Sequence, residues 1–479
     1  MSVLSPTRPC TPKVRTVVNH LETLVEPLDT ARIREGALRI LTEIGLAVPS
    51  ADVRDRLADA GLRVADGRVF VDAGRASTLM ERQRSQQTPE PEDAPLRLHS
   101  GSHALFHFDP EARCISPLTV AALEPYTKLL GALAQSGMIA AACCPGQPTD
   151  VEPRIAALTQ QFLAARFIPD PPLYAYSLAD MPYVAEMARI LGKGVAVGVH
   201  PVSPLMLGGE EFELALQLVE EGTLASVSAA PMPVMGVTAP LDWVAGWAQA
   251  VAEAVGTAVA LETLGAQRCS AFAALYVADM HTGGLIYGSP EHALITLAEA
   301  TVNREILGNS RRAAKSLYTT ARTPDPHAAL EKAAHTVVAL LAGYRELGGV
   351  GVLAVDEVFS PQQVFVDFDI VGHAWRVVRG LGETHGEGDV VALVNEGLSQ
   401  PERFLGAAAT LARFRDFYWS PGLLSDRRSA KAWLSDPTDA LARAWERARE
   451  MIAAYDYELD AARLKALRAV VESARKVLC

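Results

Sequence analysis

Two rhythms of apolar and polar residues take turns along this chain. Between Val195 and Pro240 it reads VAVGVHPVSPLML, then GGEEFELALQLVEEGT, then LASVSAAPMPVMGVTAP. Each short apolar run finishes in a proline-bearing turn, and one segment of helical periodicity lies between them. Strands covered on both faces read as unbroken apolar runs, and pairing two of them in parallel needs a helical crossover. The stretch predicts a βαβ unit. Its turns carry His200, Ser203 and Pro204, then Met232, Met235 and Thr238, at the strand ends where barrels of such units do their chemistry.

The same alternation recurs on both sides of this unit. SPLTVAALEPYTKLLGALAQSG, with Ser116 as helix cap, leads into MIAAACCP. IAALTQQFLAAR leads into PLYAYS, and MPYVAEMARILGKG into VAVGVHP. DWVAGWAQAVAEAVGTAVALETLG leads into CSAFAALYVADM, PEHALITLAEATVNREILG into RAAKSLYTT, and ALEKAAHTVVALLAGYREL into VGVLAVDEVF. Repeated helix-to-strand steps of this kind predict a right-handed TIM (β/α)8 barrel more readily than an open sheet. No Gly-x-Gly-x-x-Gly follows the first strand, which weighs against a dinucleotide fold.

Ahead of the barrel, LDTARIREGALRILTEIG sets Ile33, Ala37, Leu38, Ile40 and Leu41 on one helical stripe that Gly45 stops. Ser50 caps a second helix, LRVADGRVFV reads as a hairpin about Asp66–Gly67, a third helix runs to about Gln86, and QQTPEPEDAP is a linker. LRLHSG, HALFHFDP and ARCISP read as short strands. Amphipathic helices close the chain. The expected organisation is a tail over 1–23, an N-terminal helical and hairpin extension with linker over 24–95, the barrel over 96–420 and a C-terminal helical extension over 421–479.

Composition narrows the function classes. A net charge of −12 with no long basic stripe argues against a nucleic-acid partner. No apolar run reaches membrane-spanning length without proline, glycine or charge, so no membrane association is expected. The six cysteines are scattered without a CxxC pair; adjacent Cys143–Cys144 suits a buried strand better than a metal site, and the usage suits a reducing cytoplasm.

Several stretches together resemble the trimethylamine methyltransferase (MttB) family. They are LRILTEIGLAV, VHPVSPL, APMPVMGVTAP, LIYGSPEHAL, TPDPHAALEKA, LLAGYRELGGVG, SPQQVFVDFDIVG and ERFLGAAATLARFRDFYWSPGLLSDRRS, in order from about Leu28 to Leu478. The resemblance implies a TIM barrel, a homo-oligomer, and transfer of a methyl group from a methylated amine to cobalamin carried by a separate corrinoid-binding protein. Founding members carry pyrrolysine at a position that falls within Tyr318–Arg322, where this chain has ordinary residues. It therefore resembles the non-pyrrolysine branch, which implies a quaternary amine such as glycine betaine as donor. A His-x-His turn common near the eighth strand is replaced by Gly406-Ala407-Ala408-Ala409-Thr410, and a histidine after the seventh helix is missing from LAGYRELGGVG. These departures keep open a repurposed barrel working without cobalamin, or a non-catalytic binder of a small cation.

A quaternary ammonium leaves as a neutral tertiary amine, so its demethylation needs positioning rather than a general acid. Aromatic faces hold such a cation, at about 0.5–2 kcal/mol per ring. Tyr318, at the exit of RAAKSLYTT beside Lys315, is the first catalytic candidate, with rim packing as the alternative. Asp279 beyond CSAFAALYV and Gln363 in SPQQV are the other catalytic candidates. For substrate binding the candidates are His200, Asp150, Met232, Tyr174, Glu357 and His281. Structural alternatives stand beside them: a helix cap for Asp150, core packing for Tyr174 and Met232, and a structural hydrogen bond for His200.

Overall fold

The computed structural model describes residues 23–26, 28–87, 94–308, 313–381, 389–420, 422–424 and 426–479. The tail up to residue 22, the proline-rich middle of the linker and Arg311–Arg312 lie outside the described residues. In chain order the strands are β1 (Leu46–Ala47), β2 (Arg63–Ala65), β3 (Arg68–Phe70), β4 (Arg97–Ser100), β5 (Phe106–Asp109), β6 (Cys114–Pro117), β7 (Val195–Val199), β8 (Leu224–Ala229), β9 (Cys269–Ala271), β10 (Glu346–Val350), β11 (Val352–Leu353) and β12 (Val358–Phe359). The helices are α1 (Thr30–Arg39), α2 (Ala51–Asp59), α3 (Ala73–Ser85), α4 (Val120–Gln135), α5 (Pro153–Phe167), α6 (Met181–Leu191), α7 (Glu210–Glu220), α8 (Trp243–Thr263), α9 (Pro290–Val302), α10 (Pro326–Leu341), α11 (Pro361–Val378), α12 (Val390–Ser399), α13 (Ala408–Phe417), α14 (Ala430–Ser435), α15 (Ala440–Ala454) and α16 (Ala461–Leu478).

The segment ahead of β4 forms as its pattern dictates. Ser50 caps α2 by accepting from the Val53 N–H. β2 and β3 pair antiparallel about Asp66 (φ 52°) and Gly67 (φ 74°), two left-handed residues in succession that give the chain a tight reversal matched to strand twist. α1 buries Ile33 and Ala37 in the same core as the long apolar helix α8, whose Trp247, Val251, Val255 and Leu261 are fully buried. α8 is the one described helix long and apolar enough to cross a membrane, and it lies almost wholly in the protein interior.

The mixed α/β body is built on parallel strands. β7, β8 and β9 run side by side, with Val197 opposite Val227 and Val227 opposite Cys269. A second parallel group sets β10 beside β4, with Leu347 opposite Leu98; single bridges extend it on one side to Ala314 and on the other to Ala141. β5 and β6 form an antiparallel hairpin beside β12. The described ladders therefore make two arcs and not one closed ring.

Several expectations are corrected here. LRLHSG is not a preface to the parallel strands: as β4 it joins them through β10. Among the described residues the runs MIAAACCP and RAAKSLYTT make only single bridges, and PLYAYS makes none. Their backbone groups find other partners. The Tyr174 N–H donates to Gln161, and those of Tyr176 and Ser177 donate to the Asp180 carboxylate, so no neighbouring strand is required. Ser116 sits inside β6, and Thr119 caps α4 instead. Gly406–Thr410, expected near an eighth strand, forms a short 3-10 turn and the start of α13.

Side chains from outside the sheet bond the backbone at the end of β9 and just beyond it. Gln83 of α3 accepts from the Ala271 N–H at 2.7 Å and donates to the Ala271 and Leu307 carbonyls. Asn303, in a π-type turn continuing α9, accepts from the Ala273 N–H at 2.9 Å and donates to its carbonyl at 2.8 Å. Each side-chain amide bonds both the N–H and the carbonyl of one residue, Ala271 or Ala273, a few positions ahead of Tyr276.

Candidate active site

The segments following β8, β9, the Ala314 bridge and β10 converge at their C-terminal ends, where an α/β body places its chemistry. Tyr276 is fixed by its backbone: its N–H donates to the Pro233 carbonyl, and its own carbonyl accepts from the Met235 N–H at 2.9 Å. The chain then loops out and returns antiparallel, with Ala278 bridging Leu285, which brings Tyr287 back beside Tyr276 at 6.2 Å between ring centroids. Tyr318 stacks on Tyr287 at 5.3 Å. Its ring fits only because Gly349 (φ 100°) has no side chain; a Cβ there would come within 2.6 Å of it.

Lys315 ends among these three rings. Its Nζ donates to the Tyr276 hydroxyl at 2.8 Å and to the Tyr287 hydroxyl at 3.2 Å. The same nitrogen lies 4.7, 5.5 and 6.0 Å from the ring centroids of Tyr276, Tyr287 and Tyr318, within cation–π range. Met232, Val234, Leu285 and Val355 pack around the tyrosines and give the cage apolar walls. Behind it, His292 and His335 stack at 4.6 Å, and His335 Nε2 lies 2.7 Å from the Thr296 hydroxyl. Burial pushes His335 down to about 4 and His292 well below the usual imidazole range, the latter with help from His335 and Lys315. Both rings are neutral near pH 7, and among the described residues Lys315 supplies the ammonium of this cage.

The other side of the mouth is built on the segments after β4 and around residue 175. His103 and Tyr176 meet edge to face at 6.2 Å. His103 keeps exposed surface, yet the protein crowded round it lowers its pKa by desolvation. Asp356 opposes that shift, while Lys315 and His200 add to it. Cys143 lies 3.1 Å from the Ser100 hydroxyl, and burial pushes its thiol up to about 11, which leaves it an inert neutral group. Among the described residues no three His, Cys, Asp or Glu side chains gather as a metal site.

The predicted residues fall into three groups. Tyr318 and Met232 line the cage. His200 stands at the end of β7, with its N–H and Nδ1 both directed at Glu211, at 2.7 and 3.0 Å; burial raises the Glu211 pKa, and His200 more than offsets this. Tyr174 is 39% exposed near the Cys143 side of the mouth, and burial of the rest of the ring raises its pKa. The remaining candidates have structural partners elsewhere. Asp150 accepts from the Val120 N–H and so caps α4, not the helix that follows it in sequence. Asp279 accepts from the His281 N–H within its own exposed loop. The Glu357 side chain is exposed, while its carbonyl accepts from the Leu105 and Phe106 N–H groups. Gln363 is fully buried on α11 and donates to Asp367 at 2.8 Å; Asp367 in turn holds the buried Lys332 ammonium at 2.9 Å.

Sequence reasoning passed over Lys315, Tyr276, Tyr287 and His103. The signals were present: a lone lysine inside an apolar run, and two tyrosines bracketing a turn that contains Gly283–Gly284. The turns after β7 and β8 are tied from beneath by Glu253 of α8. It accepts from Ser203 at 2.6 Å, from the Leu205 N–H and from Gln249, which also donates to the Thr238 carbonyl. A cavity of about 510 Å³ lies away from this mouth, between α1 and α8, bordered by Arg39, Leu205 and Asp242. Neither Lys315 nor any of the three cage tyrosines borders it.

Comparison with known proteins places this arrangement in a family. The chain is 29% identical over 164 residues to the trimethylamine methyltransferase MttB of Methanosarcina thermophila, covering 34% of this chain and 33% of that protein. It is 28% identical over 200 residues to the MttB of Methanosarcina barkeri strain Fusaro, covering 41% and 39%, and 28% identical over 198 residues to the MttB2 of Methanosarcina mazei, with the same coverage. The alignments thus span at most about two fifths of these curated relatives. The family described as trimethylamine methyltransferase (MTTB) matches residues 191–478, more than half of the chain and all of the Lys315 cage, and the chain belongs to that family.

Proposed function

We propose that this chain is a methyltransferase that takes a methyl group from a methylated amine of the betaine class and delivers it to the cobalt of a corrinoid held by a separate protein. Residues 96–420 are the catalytic unit in this reading, with the two arcs as parts of a (β/α)8 barrel. The observation that carries it is the ammonium of Lys315 inside a cage of three tyrosines. A second cation placed about 5 Å from Lys315 meets repulsion of about 3 kcal/mol at an effective dielectric of 20. A plain methylated ammonium is therefore disfavoured there. A betaine brings its own carboxylate, which pairs with Lys315 while its methylated nitrogen rests against the faces of Tyr287 and Tyr318.

The residues of the cage suit such a zwitterion: aromatic faces, the Lys315 ammonium, and behind them the imidazoles of His292 and His335, which burial keeps neutral. A reduced corrinoid supplies the nucleophile and its electron pair. The protein's part is to orient one N–CH3 bond outward and exclude water. When that bond breaks, its electron pair stays on nitrogen, and the tertiary amine leaves neutral without a proton donor.

The experiment is an anaerobic absorbance assay of cob(I)alamin with glycine betaine, carnitine, proline betaine and trimethylamine, with the demethylated amine identified by NMR. The expected result is enzyme-dependent turnover with one or more carboxylate-bearing donors, none with trimethylamine, and at least tenfold loss in Lys315→Met. Turnover with trimethylamine alone overturns the betaine assignment. Silence across the panel, with an active relative as control, overturns the methyltransferase reading. It would favour the second one, in which the barrel works without cobalamin and Lys315 acts as more than an anchor. The observation on that side is that a lysine already fills the cage.

A further inference from the structure

α10 presents a carboxylate to two different walls of the tyrosine cage. Glu331, in the second turn of that helix, keeps only 14% of its side chain exposed. Its Oε2 accepts from the Thr319 hydroxyl at 2.5 Å and from the Thr320 N–H at 2.9 Å, and its Oε1 accepts from the Thr320 hydroxyl at 3.0 Å. His327 Nε2 lies 2.9 Å from Oε1. The same side chain is the floor beneath Gly288 (φ 78°), where an added Cβ would come within 2.6 Å of the Glu331 Cβ. Thr319 directly follows Tyr318, and Gly288 directly follows Tyr287. Glu331 therefore touches the residue after each of the two rings that stack at 5.3 Å. Burial raises its pKa, but the donors of Thr319, His327 and Thr320 together outweigh burial and keep the carboxylate ionised.

The bonds continue into a third wall. The Thr319 hydroxyl accepts from the Ala321 N–H at 3.0 Å, and the Thr319 and Ala321 carbonyls accept from the Val355 and Ala354 N–H groups, both at 2.7 Å. Ala354 (φ 49°) and Val355 (φ 68°) are both left-handed, a conformation that a β-branched residue keeps only where its surroundings impose it. Val355 packs against the cage tyrosines. We infer that Glu331 is the positioning residue of the cage: through Thr319, Thr320 and Gly288 it sets the spacing of the Tyr287 and Tyr318 faces and of the Val355 wall. A carboxylate suits this task where an amide does not. Glu331 meets the three donors of Thr319 and Thr320 with two accepting oxygens, whereas a glutamine has one and turns an N–H2 group toward the rest. In the betaine reading, on which the effect on substrate rests, the methylated nitrogen lies against those two faces. Their spacing then governs how tightly the donor is held.

The test uses NMR of the full chain labelled with ¹³C at lysine Cε, with Lys315→Met to assign the Lys315 resonance. Ring currents of the three tyrosines set that resonance apart from those of exposed lysines. Thr319→Val keeps the shape and removes the hydroxyl, Thr319→Ser keeps the hydroxyl, and Glu331→Gln removes the charge; far-ultraviolet circular dichroism verifies that each folds. The Lys315 resonance is expected to move toward the exposed-lysine position in Thr319→Val and Glu331→Gln and to stay in Thr319→Ser. In the methyl-transfer assay the first two are expected to raise KM for the carboxylate-bearing donor at least tenfold with kcat within threefold, the mark of lost binding, while Thr319→Ser keeps both within threefold of wild type. A resonance unmoved in the folded variants overturns the inference, as does a Thr319→Ser that behaves like Thr319→Val, which would reduce the contact to packing. If Thr319→Val does not fold, Glu331→Gln decides. A resonance that moves as expected in a protein silent with every donor supports the positioning role and overturns the methyltransferase reading alone.

Discussion

His335 is buried, its Nδ1 has no hydrogen-bonding partner among the described residues, and burial pushes it down to about 4. In the unfolded chain the same imidazole titrates near 6.5. Between those values the unfolded state takes up a proton that the folded state refuses. Its contribution to stability is therefore full above pH 6.5, falls as pH drops, and stops falling below about 4, by about 3 kcal/mol in all. His292 shifts in the same direction and steepens the slope. Replacing His335 with glutamine, which keeps a group near Thr296 but cannot titrate, is expected to flatten the dependence of the urea midpoint on pH between 6.5 and 4. An unchanged slope would mean that another group carries the acid sensitivity. Cage and imidazole column together explain why the site was half legible. Tyr318 stood out as an aromatic at a strand exit, but Lys315, three residues earlier, acquires its meaning only from Tyr276 and Tyr287, which no local pattern joins to it.

At the scale of elements, the segment after β9 is held by amides from other parts of the chain. Asn303 is buried, and it satisfies both the N–H and the carbonyl of Ala273. Asn303→Leu fits the volume and removes both bonds, at about 1–3 kcal/mol for each buried backbone group that loses its partner. The expected outcome is a loss of roughly 2–5 kcal/mol in chemical denaturation; a loss under 1 kcal/mol would show that water takes over the pairing. This is also where sequence reading met its limit. The helices were legible because their periodicity is local, and so was the hairpin at Asp66–Gly67. PLYAYS was read as a strand from its apolar residues, although its amides go to the side chains of Gln161 and Asp180. PEHALITLAEATVNREILG was read as one helix, although its end widens into a π-type turn that lets Asn303 reach back. Both outcomes depend on partners distant in sequence or on backbone detail within one turn.

The whole molecule carries a net charge of −12, and the field of that charge acts on any small ion approaching the mouth. Salt screens it over a Debye length of about 10 Å at 0.1 M and about 3 Å at 1 M. A plain methylated ammonium is drawn in by this field, so its affinity falls as salt rises. A betaine has no net charge, and the field pushes on its carboxylate as much as it pulls on its ammonium. What holds it is the short pairing of the carboxylate with Lys315 and the contact with the tyrosine faces, and partly buried contacts of this kind are screened much less. The dissociation constant for the carboxylate-bearing donor is therefore expected to change less than threefold from 0.05 to 0.5 M sodium chloride, measured by titration calorimetry. The thermal midpoint should rise with donor concentration in the same buffers, because binding draws on the folded state alone. A tenfold weakening by salt would mean that the site takes a net cation through the field of the whole molecule, and would leave Lys315 without the carboxylate assigned to it.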